Sequence, residues 1–261
     1  MSILGECALS LENEKNAREK EEAAILAKNE QLRANLLRAI SHDLRTPLTS
    51  ISGNASNLIL NSNFFDEATK NQLYTDIYDD SMWLINLVEN LLSVTRIEEG
   101  RLNLHITEDL VDDVITEALH HVNRKSVEHH ITVRHKEDYL LAKMDAKLMV
   151  QVVINIVDNA IKYTPKGSNI LIKTWKQGDK AVISIADNGD GIPDEMKERV
   201  FDMFYSGANK VADSRRSLGL GLSLCRSIVN AHGGKITVSD NTPHGTVFTI
   251  TLSAVEVEIH E

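Results

Sequence analysis

"DAKLMVQVVINIVDNAIKYTPKG", Asp145–Gly167, is apolar over most of a helical surface. Gln151, Asn155, Asp158, Asn159 and Lys162 nevertheless fall along one face, three or four residues apart. A plain solvent-exposed face would give the same stripe. Asparagine, however, is a poor interior helix residue. Two asparagines four apart set two carboxamides side by side, and their oxygens can ligate a hard cation such as Mg²⁺, directly or through water. From the same face Lys162 can reach a phosphate, and Tyr163 can lie against a base. Around this helix "RLNLHI", "HITVRH", "NILIKTW", "AVISIAD", "KITVSD" and "GTVFTITL" read as strands. Helices are expected at about 109–123, 145–162 and 220–232. The mixture specifies an α/β sandwich after about Gly100.

Two more motifs belong to this half. "AVISIADNGDGIP" is a strand ending in Asp187, followed by Gly189 and Gly191. An acid at a strand end can accept a hydrogen bond from an exocyclic amine, and glycines let backbone approach a ligand. A simple turn would read the same way. "SLGLGLSLCRSIVNAHGG" places Gly219 and Gly221 at a helix start, which suits a polyphosphate. Neither a Walker loop nor a dinucleotide fingerprint is present. The polar stretch "FDMFYSGANKVADSRRS" between them reads as a lid. Its Lys210, Arg215 and Arg216 are either phosphate contacts or solvated loop charges.

The first hundred residues are helical in pattern. Leu37, Ile40, Leu44, Leu48, Ile51, Ala55 and Leu58 form one apolar stripe. After a loop near Asn61–Asp66, Leu73, Ile77, Leu84, Val88 and Leu91 mark a second helix to about Glu98. A lone helical hairpin leaves too much stripe exposed, whereas two copies bury it as a four-helix bundle. Upstream, Leu11, Ile25, Leu32 and Ala39 keep a broken heptad, fitting a coiled coil or a solvated linker equally.

Within the first helix, "RAISHDLRTPLTSISG" (Arg38–Gly53) turns His42 roughly opposite the apolar stripe. Asp43 and Arg45 flank it, and Thr46 shares its outward face. Pro47 removes the N–H that would bond the Asp43 carbonyl, at a cost of about 3 kcal/mol or more. That expense beside an exposed His-Asp pair points to a mechanism rather than a plain surface histidine. Imidazole is a nitrogen nucleophile near neutral pH, and Asp43 can take or orient the ring proton. His42 has no second metal ligand a helical turn away except the Thr46 alcohol.

Composition narrows the field. The 261-residue chain is 42% apolar and 25% charged, with a net charge of −10, which argues against a nucleic-acid surface. Cys7 and Cys225 lie far apart, outside metal-type spacing, as in a reducing cytosol. No run of 18 apolar residues occurs and no secretory signal is seen. The chain opens in what reads as a helix already under way, compatible with a membrane-bound parent.

In order, "SHDLRTPL", "NIVDNAIKYT", "DNGDGIP", "FDMF" and "LGLGLSL" resemble the H, N, G1, F and G2 boxes of bacterial sensor histidine kinases. Finer detail is similar to the potassium-responsive, KdpD-type members. The resemblance implies a signalling helix or linker over 1–33 and a dimerisation and histidine phosphotransfer domain over 34–100. A catalytic ATP-binding domain of the Bergerat fold would occupy 101–261. By position, His42 matches the phosphoacceptor, Asp43 its assisting acid and Thr46 the residue used in dephosphorylating the partner. Asn159 matches the Mg²⁺ ligand with Asn155 close by, Lys162 and Tyr163 match phosphate and adenine contacts, and Asp187 matches the adenine-reading acid. Gly189, Gly191, Gly219 and Gly221 match the loop glycines. Two departures are Asp43, where many families have Glu, and Ser217 in place of the first G2 glycine.

The implied activity is ATP- and Mg²⁺-dependent autophosphorylation of His42 and transfer to an aspartate on a KdpE-like receiver domain, with phosphatase action on that regulator. A homodimeric cytoplasmic fragment is expected, with no nucleic-acid partner and membrane attachment only through segments outside this chain. One alternative is a pseudokinase scaffold that binds nucleotide and docks a regulator. Another is a Bergerat-fold ATPase working by closure, which leaves the exposed His-Asp pair without a role.

Overall fold

The computed structural model describes residues 44–98, 104–122, 127–137, 139–203 and 219–255, with Lys15, Asn16, Lys20, Ile40, Ser41 and Tyr205. His42, Asp43, Lys210, Arg215, Arg216, Ser217 and most of 1–33 lie outside the described residues. Contacts divide the chain into two compact units that meet at Leu84 and Ile85.

In the first unit, helix α1 runs through 44–61, and a 3₁₀ turn at Ser62–Phe64 leads to helix α2, Glu67–Glu98, whose residues from Ile85 onward belong to the second unit. The turn is closed by Asp66, whose Oδ1 accepts the Thr69 N–H at 2.8 Å and caps α2. Pro47 is buried within α1, and the helix continues past it. Helix α2 carries two apolar seams. Leu73, Ile77, Leu84 and Leu91 are half-buried, with Asp80 and Leu87 fully buried between them. On another face Tyr74, Tyr78, Met82, Ile85, Val88 and Leu92 are exposed, again at helical spacing. Val88, expected on the inner seam, is 47% exposed; Leu87 occupies that place at 6%.

In the second unit, strand β1 (Thr107–Leu110) leads into α3 (Val111–His121), followed by β2 (His130–His135) and β3 (Leu141–Met144). Next come α4 (Ala146–Lys162), β4 (Asn169–Gln177), β5 (Lys180–Asp187) and the short α5 (Asp194–Lys197). A 3₁₀ turn at Arg199–Phe201, α6 (Gly221–Ala231), β6 (Lys235–Asp240) and β7 (Thr246–Ser253) complete it. Five strands form a sheet in the order β2-β4-β5-β7-β6, with β2 and β4 parallel and the other pairs antiparallel. Strands β1 and β3 pair separately.

Apolar residues of α3, α4 and α6 share one core with alternate residues of β4, β5 and β7. Seven of the seventeen α4 residues are β-branched, a propensity cost of at most ~0.7 kcal/mol each. Burial of Val152, Val153, Ile156 and Val157 to 0% exposure returns about 1.5–3 kcal/mol per side chain, so packing outweighs propensity. Asp145 caps the helix, accepting the Leu148 N–H at 3.3 Å.

Two strand expectations differ. "RLNLHI" alternates, but 104–106 has no regular structure, 101–103 is outside the described residues, and the strand is Thr107–Leu110. The His105 N–H goes to Asp145 Oδ2 at 3.1 Å instead of to a ladder. Strand β3, "LAKM", has little β character and forms because β1 and an isolated bridge from Ala254 flank it.

Candidate functional site

Strand β5 turns Ala181, Ile183, Ile185 and Asp187 to the helix-covered face. The acid therefore ends a row of core side chains and is only 8% exposed. Its Oδ1 accepts two backbone N–H groups, Gly189 at 2.9 Å and Thr246 at 3.1 Å. Among the described residues no donor reaches Oδ2, which keeps its lone pairs for a further donor. Burial pushes the Asp187 carboxyl above the usual carboxylate range, and the Gly189 and Thr246 bonds pull it back only partly. A desolvated carboxylate with one oxygen saturated and one open is suited to an amine donor.

The backbone around it is tight. The Asp187 carbonyl accepts the Asn241 side-chain amide at 2.7 Å. Gly245 has φ +115°, and a Cβ there would stand 2.1 Å from the Asp187 carbonyl oxygen. Gly189 sits where a Cβ would lie 3.2 Å from the Tyr163 carbonyl and 3.0 Å from the Thr164 methyl. The C-terminal end of α4 is thereby pressed against the loop after β5. Gly245 and Thr246 were not singled out from sequence; the signal was a glycine directly before the strand "TVFTITL".

Asn155 marks the other end. Its Oδ1 lies 3.5 Å from where a Gly221 Cβ would stand, at the first residue of α6. Its Nδ2 is buried and has no hydrogen-bond partner among the described residues. Asn155 and Tyr163 are eight residues apart, about 12 Å along a helix. Helix α4 thus forms a floor between Asp187 at one end and Gly221 at the other. Asn159 and Lys162 are half-buried along it, and Lys162 Nζ lies 5.3 Å from the centre of the exposed Tyr163 ring. Gly191 and Gly219 both have positive φ, +80° and +65°. Gln151, from the same polar stripe, is used otherwise: its amide donates to Asn90 Oδ1 of α2 at 2.9 Å.

Carboxamide oxygens are hard ligands, and among the described residues no group of three His, Cys, Asp or Glu side chains could hold a metal. That donor set fits an ion such as Mg²⁺ that keeps most of its ligands as water and phosphate. Cys225 is not reactive: complete burial raises its thiol to about 12. Phe201, at the entrance to the expected lid, is anchored edge-to-face on Phe248 with centroids 6.1 Å apart. Thr46 is exposed on α1.

Two domain models match the chain. The His Kinase A (phospho-acceptor) domain covers residues 32–100, and the histidine kinase-, DNA gyrase B- and HSP90-like ATPase covers 144–256. The catalytic domain of histidine kinase ThkA is 30% identical, with TM-score 0.51 over 57% of this chain and 95% of that one. The chain belongs to the histidine kinase family. The sensor protein KdpD of Clostridium acetobutylicum is 42% identical over 95% of the chain. The chain spans only 27% of that protein's length. A structure of ThkA in complex with response regulator protein TrrA is 26% identical, with TM-score 0.60, over 87% of this chain and 63% of that one. No helix among the described residues is long and apolar enough to cross a membrane.

Proposed function

We propose that this chain is the core of a two-component sensor kinase that binds ATP on α4, phosphorylates His42 and passes the phosphoryl group to a receiver-domain aspartate. The observation that carries the nucleotide reading is the Asp187 carboxylate, desolvated, half-saturated by backbone and open at Oδ2. In this reading Oδ2 accepts the adenine amine, and Gly189 and Gly191 let the base come close. Tyr163 lines the base, while Lys162, Gly219 and Gly221 attend the phosphates. Asn159, with Asn155 near, holds Mg²⁺, whose charge offsets that of the phosphates. The His42 imidazole attacks the γ-phosphorus; a P–N bond forms, the P–O bond to the β-phosphate breaks, and ADP leaves. Asp43 takes the ring proton. Thr46, one turn on, holds a water for hydrolysis of the partner's phosphoaspartate. Domain limits of 1–33, 34–100 and 101–261 accompany this reading. So do a KdpE-like partner, a cytoplasmic location and a membrane-anchored parent, supported by the likeness to KdpD.

Mass spectrometry after incubation with Mg-ATP should map a phosphohistidine to His42 and to no other residue, and His42→Ala should remove it. Thr46→Ala should keep autophosphorylation and lose most hydrolysis of a phosphorylated receiver domain. A wild-type protein that binds ATP but gains no phosphate would instead identify the scaffold.

The second seam of α2 supports assembly with another copy of the chain. Tyr78, Ile85 and Val88 on it are nearly half exposed. Light scattering should give about twice the 29.1 kDa chain mass, and Ile85→Glu should shift the protein to monomer. A wild-type monomer at micromolar concentration would refute the bundle.

A further inference from the structure

His232 is the C-cap residue of α6 and is 7% exposed. Its Nδ1 lies 2.7 Å from the Ile228 carbonyl oxygen, which can only accept, so Nδ1 carries the proton. Nε2 is then an acceptor, and it takes the Asp145 N–H at 2.9 Å. Asp145 is the N-cap of α4, and its carboxylate is itself committed to the N–H groups of Leu148 and His105. One imidazole in one tautomer therefore fastens the end of α6 to the beginning of α4.

The consequence appears eleven residues away. From His232 back to Cys225 along α6, and from Asp145 on to Val152 along α4, the two helices stay in step. The Cys225 thiol donates to the Val152 carbonyl at 3.7 Å. Further along, Gly221 meets Asn155. The helices are antiparallel and in fixed register. Side-chain packing along their shared apolar surface holds the two helices together, and the His232 bond adds a directional constraint at one end of that register. A hydrogen bond closes only within a few tenths of an ångström. At the other end of the site, Asp187 is held by Gly189, Asn241 and Thr246, none of them on α6.

We infer that His232 is a positioning residue for the phosphate end of the nucleotide site, fixing Gly221 against Asn155 through the register of α6 on α4. The inference rests on the nucleotide reading above. His232→Asn places its amide near the Nδ1 position, keeping the bond to Ile228 but falling short of Asp145. His232→Gln reaches the Nε2 position and can accept the Asp145 N–H.

Calorimetry on the full chain with Mg-ATP and, separately, adenosine reads the two ends of the site. His232→Asn should weaken Mg-ATP by about tenfold and leave adenosine within about twofold. His232→Gln should bind Mg-ATP within about threefold of wild type. Circular dichroism melts identify the folded variants. Equal loss of both ligands in His232→Asn, loss of neither, or a Gln variant as impaired for Mg-ATP as the Asn variant would overturn the inference. A wild-type protein that binds neither ligand overturns the nucleotide reading and this inference with it; the other failures overturn the inference alone.

Discussion

Asp187→Asn should weaken both adenosine and ATP on the order of 100-fold or more, with no loss of thermal stability at neutral pH. The substitution keeps the shape and an oxygen for the Gly189 and Thr246 N–H groups. It replaces the open Oδ2 with an NH₂, so a donor now faces the adenine amine. Unfolding is not promoted, because a desolvated charge has been removed. In the wild type, burial raises the Asp187 pKa. The ionised form therefore costs the ligand-free fold some stability. That cost is absent below the unfolded-state value, grows as pH rises from there to the raised folded value, and is complete above it. An adenine amine donating to Oδ2 favours the ionised form. Adenosine affinity should accordingly be full above the raised value and fall as pH drops through it. Asp187→Asn should flatten that profile. Unchanged adenosine affinity in the variant, by calorimetry, would remove Asp187 from the base-binding role.

Gly245→Ala should lower stability by about 3 kcal/mol or more and the melting temperature by roughly 6–12 °C. Two effects contribute, and their sizes differ. The backbone at φ +115° strains any L-residue, and the new methyl would also stand 2.1 Å from the Asp187 carbonyl oxygen and 2.8 Å from the Asn188 Cα. Gly178→Ala separates them. Gly178 also has positive φ, +61°, in the β4–β5 turn, but its Cβ would meet nothing within 4 Å. That variant should lose only ~1 kcal/mol. The difference is the collision, which must move the segment bearing the Thr246 N–H away from Asp187. Nucleotide affinity should fall with Gly245→Ala and not with Gly178→Ala. Equal melting temperatures for the two variants would show that the close approach at Gly245 is unimportant.

Periodicity made several elements legible. A polar stripe recurring at three and four on an apolar helix marked α4, glycines at a helix start marked α6, and strand patterning gave β2, β4, β5, β6 and β7 nearly to the residue. Asp187 was legible as an acid where such a strand stops, with glycines behind it. These signals are local: one helical turn or one pleat fixes which face a side chain takes. The inner seam of α2 was legible except at Val88. Leu87 and Val88 are both apolar, and only the buried partner decides which of two adjacent residues faces inward.

What the chain alone left open depends on groups far apart in sequence. Gly245 and Thr246 complete the Asp187 site from 58 and 59 positions away, because β7 runs antiparallel to β5 and begins where β5 stops. His232 and Asp145 meet across 87 positions. Nothing in "NAHGGK" marks its histidine as a helix clamp rather than a surface residue. The alternation in "RLNLHI" suggested a strand, yet the His105 N–H is claimed by the Asp145 carboxylate, a stronger acceptor than a ladder carbonyl. Sequence determined the elements and the chemistry each could carry, since propensity and periodicity act over a few residues. Tertiary structure decided the register of α6 on α4, which Asp187 oxygen stays open, and which glycines have no room for a methyl. Those are matters of tenths of an ångström between segments that only the packed core brings together.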